Sequence, residues 1–262
     1  MSTTKTAAPT PTVTPTRVLR SEWSKLFSLR STWYALAGAI AVSLAIGLIV
    51  GITYKDGGDG PADPVEVPLF GLNFAQLILP ILGILTAAGE WSTGLIRATM
   101  AAVPRRLPVL WAKAAVLGTA VFVTILATAF ITFPLAQPFL SGTRIEAGLG
   151  DPGVARALIG SAAAVALISV LGLALGALVR SIPASIGIFV AVLMIVPSLA
   201  QLSPYDWVET TINYTPLYAA EPLVKALPAD DRISPLAGFL TLWVWVAAVL
   251  AAAAVRLRRS DV

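Results

Sequence analysis

Few residues in this chain could carry covalent chemistry. It contains no His and no Cys. That excludes a Ser-His-Asp triad, a thiol nucleophile, a thiolate cluster and a His-ligated metal. Asp, Glu, Ser and Lys remain, but no ionisable residue falls in the middle of any long apolar run. General acid–base chemistry at membrane depth therefore has no carboxylate pair to use, and no enzymatic activity is expected. A nucleotide-binding P-loop needs Gly, then Lys, then Ser or Thr. No Lys here follows a Gly, so the chain carries no conventional P-loop ATPase. Gly148-Leu149-Gly150-Asp151-Pro152-Gly153 has the glycine spacing of a dinucleotide fingerprint, but no strand precedes it and Pro152 interrupts it. It reads as a turn.

The charged segment with the most to offer runs from Glu90 to Lys113. Gly94 and Pro104 bracket about nine residues of good helix formers, flanked by Glu90 and Arg97. Such a segment suits a short helix parallel to a membrane, docking onto a partner. It equally suits an ordinary loop whose arginines fix topology.

The elements that position this segment follow from composition. Of 262 residues, 57% are hydrophobic and only 12% charged, with a mean hydropathy of +0.83. A soluble domain of this size would lack surface charge. The excess of basic residues, 18 against 14 acids, is too small for a nucleic-acid footprint, and no nucleic acid is expected as partner. Six continuous apolar runs, Trp33–Tyr54, Leu69–Gly89, Val109–Ala136, Val154–Val179, Pro183–Leu202 and Leu236–Val255, are each long enough for a membrane-spanning helix. The expected fold is therefore all-α and polytopic, with six transmembrane helices. Placing both termini in the cytoplasm puts thirteen of the eighteen cations on that side, as the positive-inside rule requires.

Segments 1–16, 17–32 and 256–262 fall outside the 33–255 membrane domain. The first is a Thr/Pro-rich tail expected to be disordered, and the last a basic cytoplasmic tail. Between them, Leu19, Trp23, Leu26 and Phe27 recur at helical spacing among Arg17, Arg20, Ser21 and Lys25. Thr16 could cap this helix. The pattern describes an amphipathic helix in the cytoplasmic interface, its cations near anionic headgroups, or else a plain basic flank. Beyond the fifth run, 203–234 is Pro-rich with short apolar stretches, which suits a partly buried cap, a re-entrant hairpin or an exposed loop. Neutral polar residues inside the runs, among them Asn73, Gln76, Thr124, Thr128, Ser169 and Gln201, are candidates for a path taken by an amphiphilic substrate. They equally suit helix–helix hydrogen bonds. Gly47/Gly51 and Gly172/Gly176 permit close helix approach.

Taken together, Glu22-Trp23-Ser24-Lys25-Leu26, then Gly89-Glu90-Trp91-Ser92-Thr93-Gly94-Leu95-Ile96-Arg97-Ala98-Thr99, then Val103-Pro104-Arg105-Arg106 and Lys113, resemble the membrane permease subunits of type-2 ABC exporters, a superfamily that includes multidrug and antibiotic efflux permeases. The resemblance extends to six spans with both ends inside. It implies a dimer of permease chains, identical or different, above two copies of a separate ATPase subunit that binds the ATP and Mg. No cofactor is expected on this chain itself. It implies that 17–32 is a connecting helix. It also implies that Glu90, Thr93, Gly94, Arg97, Pro104, Arg105 and Arg106 contact the ATPase through a coupling helix. The implied partners are then that ATPase, the second permease chain, the lipid bilayer and a small amphiphilic substrate, with the chain in a bacterial plasma membrane. The competing expectations are an ATP-independent carrier or channel and a non-transporting membrane scaffold.

Overall fold

The structure is a computed structural model that describes residues 14–55, 62–102, 107–227 and 233–259. All regular elements among these residues are helical. They are α1 (Pro15–Ser28), α2 (Arg30–Thr53), α3 (Leu72–Ser92), α4 (Leu95–Ala102), α5 (Leu107–Leu140), α6 (Val154–Val179), α7 (Ile182–Ile188), a π-helical stretch (Phe189–Ile195), α8 (Val196–Ala200), α9 (Asp206–Ile212), α10 (Pro216–Val224) and α11 (Pro235–Arg259). With α7, the π stretch and α8 stacked into one rod, six helices are long and apolar enough to cross a membrane: α2, α3, α5, α6, Ile182–Ala200 and α11. This is a multi-pass arrangement at the positions the apolar runs predict.

Helix α6 is the central post. Its most apolar window is 78% buried, against 22% for Ile182–Ala200 and 28% for α2 and α11. Helices α3, α5, α10 and α11 all pack on α6. The approach of α3 to α6 depends on missing side chains. A Cβ on Gly172 would lie 2.4 Å from the Pro80 carbonyl oxygen, one on Gly83 2.3 Å from that of Ser169, and one on Gly176 2.8 Å from that of Ile84. In a lipid-like setting, where apolar side chains gain little by leaving the solvent, such backbone proximity is the main source of helix–helix attraction. Gly47 serves α2 in the same way against Pro68 and Thr132. The glycine pairs expected to allow close approach therefore act within the chain.

The helices alternate between two ends. At one end the C-termini of α3, α6 and α11 meet the N-termini of α5 and α7 and the whole of α1; this is the basic end. At the opposite end, Asp63 accepts hydrogen bonds from the N–H groups of Val65 (2.9 Å) and Leu227 (2.8 Å). Arg156, in the first turn of α6, donates to the carbonyls of Pro222 (3.3 Å), Lys225 (2.7 Å) and Ala226 (3.1 Å). The Pro-rich segment after the fifth span is thus a helical cap: Ala219, Ala220 and Leu223 of α10 are buried. Within this cap a Glu221 carboxylate oxygen lies 3.0 Å from Lys225.

Several boundaries move. Thr14, not Thr16, caps α1: its hydroxyl accepts from Arg17 N at 3.4 Å, with Pro15 as the first helical residue. Pro15 and Thr16, placed in the 1–16 tail by the sequence, are therefore helical; residues 1–13 lie outside the described residues. The third span extends to 34 residues, about 51 Å at the α-helical rise, well beyond a hydrocarbon core of about 30 Å. The last span continues helically through Arg259, which takes in most of the expected basic tail; residues 260–262 are not described.

Replacing Gly172 by Leu forces α3 from α6. The expected cost is about 1–3 kcal/mol or more, read as a lower thermal midpoint and loss of a monodisperse elution peak. Gly38→Ala, at a position where a Cβ meets nothing within 4 Å, should leave both unchanged or slightly improved.

Candidate functional site

The side chains of greatest chemical interest meet at the basic end. Helix α1 lies on the start of α5 and buries Val18, Glu22 and Leu26. These residues recur every four positions, so they share one face. Leu19 and Trp23 stand 39% and 46% exposed. The buried face of α1 is therefore turned by about one residue from the apolar stripe expected, and it carries a carboxylate.

Glu22 joins a four-residue ion cluster. Its Oε1 lies 2.7 Å from Lys25 Nζ and its Oε2 2.7 Å from Lys113 Nζ. Glu90, in the last turn of α3, places Oε1 2.9 Å from Lys113 and 3.3 Å from Lys25. Lys25 also donates to Thr99 Oγ1 of α4 at 3.2 Å. Four elements, α1, α3, α4 and α5, are thus tied through two lysines. Side-chain exposures are 3% for Glu22, 12% for Lys113, 13% for Glu90 and 38% for Lys25. Desolvation of this depth is tolerable because each charge faces two opposite ones. Burial works to lower the Lys25 pKa. The hydrogen bond to Glu22 and the charges of Glu90 and Glu22 outweigh it, and the net shift is upward from 10.5. Lys25 is held in the cluster by its bonds to Glu22, Glu90 and Thr99.

A second latch joins the remaining helix ends. Arg180 follows α6 in the left-handed conformation, φ 63°. Its guanidinium carbon sits 3.8 Å from the Trp91 ring centroid, and it donates to the Arg256 carbonyl at 3.3 Å. Arg256 in turn donates to the Leu178 carbonyl. Cations at helix C-termini also complement the partial negative charge there.

The expected partner contacts divide. Thr93 and Gly94 form the exposed turn between α3 and α4; Thr93 donates to the Gly89 carbonyl at 2.8 Å. Gly94 has φ 73°, a left-handed geometry that favours glycine after a helix. Glu90 instead faces Lys25 and Lys113. Arg97 lies on α4, with its side chain outside the described residues, as are Pro104, Arg105 and Arg106 entirely.

The six path candidates do not converge. Asn73 and Gln76 line a cavity of about 260 Å³ at the opposite end, with Glu66, Glu221 and Lys225. Thr128 and Ser169 are buried and donate to the carbonyls of Thr124 (2.8 Å) and Val165 (2.7 Å) in their own helices. Gln201 borders a separate opening beside Glu209.

Sequence reasoning missed Glu22. The available signal was its place midway between Val18 and Leu26, a carboxylate on an apolar face three residues before a lysine.

No protein-family model and no curated protein matches the chain.

Two outcomes test the cluster. Glu22→Ala leaves Lys113 and Lys25 short of an acceptor and should cost about 3–5 kcal/mol, seen as a lower thermal midpoint and faster proteolysis within α1. The folded-state pKa of Lys25 lies above its ordinary 10.5, so protonated Lys25 favours the fold. Its contribution is fully present below that pH and lost as pH rises through the folded value. From neutral pH upward, the stability gap between wild type and Lys25→Met should hold until about pH 10.5 and close above it.

Proposed function

We propose that this chain is the membrane-spanning permease subunit of an ATP-driven ABC-type exporter, working in a bacterial plasma membrane with a separate ATPase. Six helices long and apolar enough to cross a membrane support the reading. The observation that carries it is the placement of α4. This short helix follows the second span at the end where basic residues gather, and Lys25 hydrogen-bonds it at Thr99 while pairing with Glu22 and Glu90. A push on α4 from a soluble partner reaches α1, α3 and α5 through one ionic joint, without threading a long path of side chains.

The mechanism under this reading has three steps. The motor binds ATP and Mg and closes. Its surface displaces α4 and the turn at Thr93 and Gly94. The ion cluster passes the displacement to the spans, which exchange between two arrangements, one open to each side of the membrane. The basic end faces the cytoplasm, by the charge bias of the loops. The chain's own role is to shape the route for a small amphiphile and to transmit movement. It holds no nucleotide.

A gentle detergent pull-down of the tagged chain from its native membrane should bring a soluble protein bearing a P-loop in stoichiometric amount. A chain that is folded yet comes alone would displace this reading in favour of an ATP-independent carrier, and stable partner binding without ATP-dependent flux would favour a scaffold. Arg97→Ala should lower transport-coupled ATP hydrolysis about tenfold while leaving the helical content and thermal midpoint of the chain unchanged. Normal efflux and normal stimulated hydrolysis in that variant would remove Arg97 from the contact.

A further inference from the structure

The ion cluster forms one wall of a cavity of about 480 Å³ at the basic end. That volume falls in the range of small-molecule sites, about 300–1,000 Å³. Most of the lining is hydrocarbon, including Leu26, Leu29, Leu85, Leu117 and Ile182. Leu29 is 48% exposed and stands at the rim. An apolar pocket with a few converging polar groups is the ordinary form of a ligand site.

The polar wall holds two carboxylates and two ammonium groups, Glu22, Glu90, Lys25 and Lys113. An ammonium has three donors, and Lys25 Nζ directs its three to Glu22 Oε1, Glu90 Oε1 and Thr99 Oγ1. An anionic group reaching Lys25 would have to break one of these bonds, while Lys113, its side chain 12% exposed, faces Glu22 Oε2 and Glu90 Oε1 with two of its three donors. Both oxygens of Glu22 are engaged, Oε1 by Lys25 and Oε2 by Lys113. Glu90 differs. Its Oε1 takes both lysines, while its Oε2 accepts from none of the described residues, with 13% of the side chain still exposed. The wall therefore offers a carboxylate oxygen with unused acceptor capacity and no spare ammonium donor on Lys25.

We propose that this cavity binds a cationic amphiphile, its ammonium donating to Glu90 Oε2 and its apolar body lying against Leu26, Leu85 and Ile182. A charged donor on a carboxylate in a largely apolar pocket makes a short, strong hydrogen bond. The apolar contacts supply the remaining affinity. The site is built from this chain alone and holds whether or not an ATPase is coupled to it, so binding is measured without nucleotide.

The test uses the full chain in nanodiscs of neutral lipid and a photoreactive alkylammonium carrying a diazirine in its tail. The N-acetylated form of the same molecule, uncharged, is the control. Labelled peptides are mapped by mass spectrometry. Saturable labelling of segments 22–31 and 82–95 by the ammonium probe is expected, with the acetylated probe about tenfold weaker. Glu90→Gln should bring the two probes level. Thr86→Trp, which places an indole in the cavity one helical turn from Glu90, should abolish saturable labelling by either. Equal labelling by both probes in the wild type would overturn the proposal. So would labelling confined to the outer faces of α2 and α11, or labelling that survives Thr86→Trp. Should Glu90→Gln fail to fold, the comparison of the two probes and Thr86→Trp decide the question without it.

Discussion

The contact between α3 and α6 sets the frame for everything else in this molecule. Helices in lipid do not attract one another by shedding water from apolar side chains, because lipid is as apolar as they are. They associate where backbones can come close. Gly83, Gly172 and Gly176 remove the side chains that would keep α3 and α6 apart, and the two helices meet carbonyl against Cα. With that distance set, Glu90 and Trp91 at the end of α3 arrive beside the ends of α5, α6 and α11. The ion cluster and the Arg180–Trp91 stack follow from this arrival.

The two ends of the bundle are finished by different physics. At the opposite end, many side chains satisfy backbone: Asp63 accepts from N–H groups of two loops, and Arg156 donates to three carbonyls in and just after the last turn of α10. These bonds fix loops to a helix post, and they consume the charges involved. At the basic end, the side chains of the ion cluster satisfy each other. Glu22, Lys25, Glu90 and Lys113 belong to three separate helices and touch a fourth through Thr99. A joint made of side chains can re-form after small shifts of the helices, whereas one made of backbone carbonyls holds a single geometry. The ion cluster is a joint of the first kind, and the Arg180–Arg256 latch beside it is one of the second.

Much of the bundle was legible in the sequence, and the reasons are local. Continuous apolar runs of about twenty residues have few readings other than spanning helices, and all six recur in the structure. Val154–Val179 matches its helix end for end. The orientation of α1 was not legible, because two overlapping sets, Leu19 with Trp23 and Val18 with Leu26, are both apolar at helical spacing. Contacts distant in sequence select between them, Lys113 for Glu22 and Val109 with Ala112 for Val18. The dispersal of Asn73, Thr128 and Gln201 was hidden for the same reason: a polar residue in a run does not state which neighbour it will meet. The π-helical turn at Phe189–Ile195 left no mark in composition at all. The Pro-rich stretch after the fifth span gave its burial away through its apolar content, but not its two helices.

The ion cluster holds two carboxylates and two ammonium groups, so their formal charges cancel. A unit charge carried across a membrane at 100 mV exchanges about 2.3 kcal/mol with the field. A joint of zero sum exchanges none when it moves as a body. However far the four side chains travel together along the membrane normal, the membrane voltage neither drives nor resists them.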